Sequence, residues 1–543
     1  MGSFVPGTPA VSLQTSASTG ANLLRREQQF CRQRLVGVVG SASGGLLGCC
    51  VLVWVGGRAA RVPGAVPPSS WLGLLGEGAT GAPSPVAGAV EIVAVALLVL
   101  CWWRILVGAR QLSPRVVMAI GAVWATPLAL GPPLLSLDAY SYLAQGRLAA
   151  IGLDPYRHAP AALTDSVWLQ GVDPFWRHSL SPYGPLAVLL EHTVTLTGNP
   201  VLSLVLLHLL ALLCLSVVAA SLMRLTNPSY RSAGLLLGVV NPLVLLQVLG
   251  AAHWEALLVA LLAAALLAWH RAHPLTAMCL ASAATAVKLP AGFAVAVLLV
   301  TYVLAARPRR RLAASAAATA AAVAPWALLG LWVPNPLGFL GALSAPLDGR
   351  TLYAPTTLLA EAVAKLAAVS GVGVPFDPLL SLCRVVGLLT AAAICCALLA
   401  TGTRRSVAAT IGAGLLVVAL LGPVLYPWYG TWGLIPLVIA YPQARHRLAV
   451  LISVLTFTAL PGCHALAPVI PTALSAIGLA VLAAWSYRRH RRGSHPPGTQ
   501  FPWPLPVTST TVHRSGDRPA AGMALRRPVR EPQAGSRAPT WIC

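Results

Sequence analysis

The sequence predicts an all-α protein that crosses a membrane many times, and three observations carry that expectation. Hydrophobic residues make up 57% of the chain and charged residues 9%, with a mean hydropathy of +0.75. So little polar surface cannot cover a water-soluble domain of this length. Apolar runs of near-spanning length recur along the chain and give about 12–14 expected transmembrane helices, since helices satisfy their own backbone in lipid. The 37 Lys and Arg residues, against 14 Asp and Glu, cluster between those runs. A net charge of +23 would suggest nucleic acid in a soluble chain. Here the positive-inside rule accounts for it, and no nucleic-acid partner is expected.

The elements follow in order. Residues 1–34 are polar, end in "RREQQFCRQR" and read as a cytoplasmic tail rather than a signal peptide. The membrane domain is expected over 35–487. Its apolar runs begin at 35–57, 86–108 and 115–136, resume at 199–223, and continue to a last run at 467–487. Runs between 255 and 306 are short, and two of them are candidates for broken helices. Basic residues at Arg110, Arg115, Arg224, Arg231, Arg271, 307–311, Arg404, Arg405, 444–447 and 488–492 all fall on one side, which is then cytoplasmic. The opposite side of the plasma membrane receives two long loops, 137–198 and 334–378. Long loops in such proteins tend to carry function. Residues 488–543 are Pro-, Ser- and Arg-rich and read as a disordered basic tail against membrane lipid.

No C-x-x-C pair, G-x-x-x-x-G-K-S/T or H-E-x-x-H occurs, so disulfide frameworks, zinc sites and P-loop nucleotide sites lack their usual signatures. An enzyme built this way must take an activated donor from the membrane itself.

Candidate chemistry gathers in few places. Asp138 ends an apolar run in "LLSLDAYSYLAQGRLAAIGLDPY", with Tyr140 and Tyr142 behind it. A carboxylate there is a helix end facing water, a general base for a hydroxyl, or a cation ligand, so a divalent cation stays open as a cofactor. Asp154, Asp165 and Asp173 follow in the same outer loop of an acid-poor chain. "GLDPYRHAP" and "VDPFWRHSLSPYGPL" mix Tyr156, Arg177 and Tyr183 with Asp, His and Pro. An interfacial aromatic belt explains the rings, and a sugar or phosphosugar site explains the rings and the charges together. His253 and Glu255 in "LGAAHWEALLVALL" are either polar tips reaching water or site residues. Lys288, one of two lysines, lies in apolar sequence before Pro290, where it either snorkels or meets a phosphate. Arg350 and Tyr426, Trp428 and Tyr429 of "LYPWYGTW" are further outer-face candidates.

Five blocks, "LDAYSYLAQGRLAAIGLDPY", "SPYGPL", "NPLVLLQVLGAAHWEALLVALL", "AATAVKLPAG" and "LYPWYGTWGLIPL", together resemble a known family. It is the actinobacterial polyprenol-phosphate-mannose-dependent α-(1→6)-mannosyltransferases of MptA/MptB type, with the GT-C fold. The similarity runs over roughly 85–465 and leans to the MptB side. The resemblance implies that Asp138 is the catalytic base, taking a proton from the 6-hydroxyl of a lipid-anchored mannan acceptor. That hydroxyl then attacks the polyprenyl-phosphate-mannose donor with inversion, in lipomannan and lipoarabinomannan synthesis. It implies substrate-binding roles around Tyr140, Tyr142, Asp154, Tyr156, Tyr183, His253 and Glu255, with Lys288, Arg177 or Arg350 meeting the leaving phosphate. Relatives often read His-Asn-Asp where this chain has His253, Trp254 and Glu255. The competing reading is a transporter or flippase of a lipid-linked sugar. It expects ionisable residues near the bilayer midplane, such as Glu91, and paired broken helices in two halves.

Overall fold

The structure is a computed structural model that describes residues 14–58, 85–164, 166–343, 351, 354–402 and 405–459. Arg350, Asp165 and the run at 467–487 lie outside the described residues. The chain divides into two units, 1–35 with 483–543, and 36–482.

Helices begin where the sequence fixes them. α1 covers Gln14–Arg58 and α2 Pro85–Val107. α3, Pro114–Leu130, opens with proline behind Ser113, whose hydroxyl accepts from the Val116 amide. α4 covers Asp138–Ala150, α5 Pro174–Arg177 and α6 Pro185–Thr195. α7, Pro200–Leu225, is capped by Asn199, whose carbonyl oxygen accepts from the amides of Val201 and Leu202. In these starts proline fills a position whose N–H would be unpaired, and the cap side chain answers other orphan amides.

α8, Arg231–Gly238, leads to a π-helical segment Val244–Gly250, then α9, Glu255–His270, and α10, Pro274–Thr285. The C-terminal half holds α11 (Gly292–Ala305), α12 (Arg311–Leu329), α13 (Pro355–Val369), α14 (Phe376–Thr401), α15 (Val407–Leu421), α16 (Gly430–Ala440) and α17 (Arg445–Thr458).

Among the described residues, five helices are long and apolar enough to cross a membrane, or six if the bent pair Val244–Gly250 and Glu255–His270 is one span. Four shorter apolar helices accompany them. The chain is an all-α multi-pass membrane protein. A 26-residue helix such as α7 measures about 39 Å, enough for a hydrocarbon layer of about 30 Å even when tilted. One bent pair occurs among the described residues, with an angle of 110°, rather than matched pairs in two halves.

The expected outer loop 137–198 is largely helical. α4 and α6 pack on each other and on the bundle. Ala139 through Gly146 are all buried, so α4 has no polar face. A helix enclosed on every side loses the one-sided periodicity by which helices are read from sequence. At the α4–α6 crossing a Cβ on Gly146 would fall 2.2 Å from the Glu191 carbonyl oxygen, so this close approach requires glycine.

One large core joins α1–α4, α6–α12 and α14–α17. Two of its tryptophans bond their N–H groups across the core: Trp102 donates to the Leu236 carbonyl at 2.9 Å and Trp124 to the Ala42 carbonyl at 2.8 Å. A bonded indole can be buried whole without the cost of an orphan donor. Glu91 in α2 is buried and engaged within this packing.

Candidate active site

Three chain breaks converge. The first is the 131–137 connection ending at Asp138, the first residue of α4. The second is the bend at 251–254 between the π-helical segment and α9. The third is the interruption after α10, where Lys288 is extended before a 3-10 turn at Leu289–Ala291. The first two are tied by the Leu134 amide donating to the Gly250 carbonyl at 2.8 Å. The third is tied to "SPYGPL": the Gly184 amide donates to the Val287 carbonyl at 3.0 Å and Leu186 to Ala286 at 2.9 Å. A Cβ at Gly184 would fall 2.2 Å from the Ala286 carbonyl oxygen, so glycine is required there.

These ties bring four of the expected residues into one cluster. His253 Nε2 lies 3.6 Å from Asp138 Oδ2 and 3.0 Å from Ser136 Oγ. Lys288 Nζ donates to Glu255 Oε1 at 2.8 Å, and Trp432 Nε1 donates to the same oxygen at 3.3 Å. The ammonium also faces three rings, 4.2 Å from the centroid of Tyr429 and 5.3 Å from those of Tyr183 and Trp432. Aromatic faces stabilise a partly desolvated cation. Glu255 stands at the N-terminus of α9, where the helix dipole favours its charge.

Exposure separates the four. The side chains of His253 and Glu255 are 0% exposed, while Asp138 keeps 15% and Lys288 14%. Burial raises the Asp138 carboxyl above its ordinary value, and the His253 and Lys288 charges pull it partly back. A raised carboxylate is a stronger base.

A second buried layer supports these groups. Trp254 Nε1 donates to Glu191 Oε1 at 2.8 Å. Burial pushes the Glu191 carboxyl up to about 8, so it is mostly protonated at neutral pH. Tyr142 and Tyr183 share a hydroxyl–hydroxyl bond of 3.2 Å, and the Tyr156 hydroxyl donates to the Tyr183 carbonyl at 3.0 Å. A ring stack, Tyr426 on Trp428 at 4.8 Å and Trp428 on His253 at 4.1 Å, runs from a half-buried tyrosine to the buried imidazole.

Other expected residues are used differently. Asp154 turns its carboxylate to the Tyr156 amide at 2.9 Å and lies 3.7 Å from the exposed Arg157. Arg177 Nε donates to the Val172 carbonyl at 3.1 Å. Tyr140 is buried, with its ring close to Gly171. Sequence reading passed over Ser136, Trp254 and Trp432. Ser136 carried no signal. The tryptophans stood beside Glu255 and inside an aromatic block, but nothing in one dimension joined them to carboxylates 63 and 177 residues away. Among the described residues no group of three or more His, Cys, Asp or Glu side chains could hold a metal ion.

The bundle defines the class, an all-α polytopic membrane protein, with a partly open carboxylate–lysine cluster built at its helix breaks. The chain belongs to the MptA/MptB family of glycosyltransferases. A model described as alpha-(1->6)-mannopyranosyltransferase, N-terminal domain, matches residues 42–305, and one described as MptB C-terminal domain matches 356–489. Alpha-(1->6)-mannopyranosyltransferase A of Mycobacterium tuberculosis is 32% identical over 66% of this chain and 71% of its own length. A second alpha-(1->6)-mannopyranosyltransferase of that organism is 29% identical over 76% and 79%. Alpha-(1->6)-mannopyranosyltransferase B of Corynebacterium glutamicum is 28% identical over 74% of each chain. No solved structure matches. The chain is accordingly a membrane mannosyltransferase.

Proposed function

We propose that the enzyme transfers mannose from a polyprenyl-phosphate-mannose donor to a lipid-anchored mannan, forming α-1,6 links with inversion at the extracytoplasmic face. The transmembrane domain is 35–487 in this reading, flanked by cytoplasmic tails. The observation that carries it is the division of the cluster. A base and a cation are partly open, and each is backed by a sealed partner.

Asp138 accepts the proton of the acceptor 6-hydroxyl. The freed oxygen attacks the anomeric carbon, and the electron pair of the breaking carbon–oxygen bond leaves with the polyprenyl phosphate. Lys288 lies close enough to act electrostatically on Asp138 and meets the charge that develops on the phosphate. Glu255 and the three rings hold its ammonium in place until then. His253 steadies the carboxylate, and the Tyr183 and Tyr429 rings supply faces against which sugar C–H groups stack. The basic clusters between the apolar runs, all on the opposite side in this topology, support the extracytoplasmic placement of Asp138.

The test is transfer by purified protein in detergent or liposomes. Polyprenyl-phosphate-mannose and a nucleotide-linked mannose are offered in parallel, with an α-1,6-mannoside acceptor, and the product linkage is read by NMR. Transfer from the lipid donor alone, giving an α-1,6 product, is the expected result. Use of the nucleotide donor, or movement of the lipid-linked sugar across vesicles without transfer, sinks the reading.

A further inference from the structure

Ser136 stands at a junction that the reaction itself does not explain. Its hydroxyl oxygen accepts from the Asp138 amide at 3.2 Å and lies 3.0 Å from His253 Nε2. It therefore touches the backbone of the base and the imidazole that faces the base. The residues just before Ser136 and His253 are both in the left-handed region: Leu135 at φ 63° and Ala252 at φ 53°. Neither is glycine, so both positions are strained backbone that the surrounding structure must hold. Only four non-glycine residues of positive φ occur among the described residues. Two of them immediately precede the two members of one hydrogen bond. The Leu134–Gly250 backbone bond, one residue before Leu135 and two before Ala252, locks the two turns together.

Ser136 Oγ and His253 Nε2 share a hydrogen bond whose direction follows the imidazole tautomer, while the same hydroxyl oxygen accepts from the Asp138 amide. The Trp428 ring closes one face of that imidazole at 4.1 Å, which leaves it little freedom to turn.

We propose that Ser136 is a positioning residue. With His253 it forms a clamp, set by the two left-handed turns, that fixes the Asp138 carboxylate in the orientation from which it takes the acceptor proton. The inference rests on the reading of Asp138 as base. The groups facing Asp138 are His253 and Lys288, which favour its ionised form, and Glu255 and Asp173, which oppose it, with the Tyr142, Tyr183 and Tyr426 hydroxyls around them.

The test uses the full chain in membranes, with lipid-linked mannose as donor, comparing Ser136→Ala and Ser136→Thr at matched protein levels. Loss of the hydroxyl lets the imidazole drift from the carboxylate. Ser136→Ala then lowers kcat about 10- to 100-fold with KM within about twofold, as a misplacement near 1 Å does. Its acid limb moves to higher pH, because His253, which favours the ionised carboxylate, no longer faces it closely. Ser136→Thr keeps the hydroxyl and restores most of kcat. Wild-type kcat and pH profile in Ser136→Ala, or equal damage in both variants, overturns the clamp. Asp138→Asn run beside them separates the two readings. If it retains wild-type transfer, the base assignment fails. If it abolishes transfer while Ser136→Ala is unaltered, only the clamp fails.

Discussion

Asp138 and Lys288 each lean on one buried partner, but the two pairs are built differently. Lys288 and Glu255 meet at 2.8 Å, reinforced by Trp432 and three ring faces. Asp138 and His253 stand 3.6 Å apart, with a serine hydroxyl beside the imidazole. The tight pair cancels its own charge. The loose pair leaves the carboxylate with a negative charge that no cation fully claims. A cluster with two carboxylates thus presents one available base. In the proposed mechanism the second acid, Glu255, holds the Lys288 ammonium rather than taking a proton.

The largest effect should come from the loose pair. Asp138→Asn is expected to lower mannosyl transfer by about 100- to 10,000-fold, as loss of a general base does, at unchanged protein levels. Transfer assays in membranes read this directly. The tight pair should respond first in stability. Lys288→Met leaves Glu255 buried and unmatched, which costs about 3–5 kcal/mol and lowers the unfolding temperature in detergent. Adding Glu255→Gln should recover most of that stability but none of the transfer. Recovery of transfer in the double variant would show that the lysine charge serves the fold alone.

A smaller effect is expected from Gly184→Ala. Its new Cβ meets the Ala286 carbonyl, so the Val287–Lys288 segment must shift. A displacement of this kind costs up to about 100-fold in kcat. An unshifted kcat would mean that the 184–287 tie does not position the lysine. The smallest effects are those of pH. Burial raises the Asp138 carboxyl, so the rate should fall on acidification at a pH above the ordinary carboxylate range. Glu191 titrates at about 8 in the fold against an ordinary 4.5. Folding therefore takes up a proton between those values. Stability from this group is full below about 4.5 and is lost as pH rises toward about 8. Glu191→Gln should flatten that slope in thermal scans.

Much of this was legible in the chain because charge is so scarce there. Asp138, Glu255 and Lys288 stood out against apolar sequence, and each proved to lie in the cluster. Their pairing was hidden, because Lys288 and Glu255 are 33 residues apart and Ser136 and His253 are 117 apart. Ser136 is an ordinary residue type whose importance comes only from its place. Asp154 drew attention by the same scarcity of acids, yet its carboxylate is bonded to the turn that contains it. The helices of 137–198 were read as loop because α4 is buried all round. Apolar runs located the bundle and the gap between the runs ending at 250 and beginning at 255, but composition does not give an angle, and the 110° bend there was not visible.

The Glu255–Lys288 bond also bears on how the protein is made. A lone charge in the bilayer interior costs about 2.5–3.5 kcal/mol on insertion scales. Glu255 opens α9, and Lys288 follows α10, which returns beside α9 after a turn of a few residues. The acid enters the insertion machinery before its counterion has been synthesised. Glu255 meets the ammonium that pairs with it only when the residues after α10 have emerged. The two helices are thus favoured to leave for the lipid together, as one unit that seals its charges before it meets the hydrocarbon.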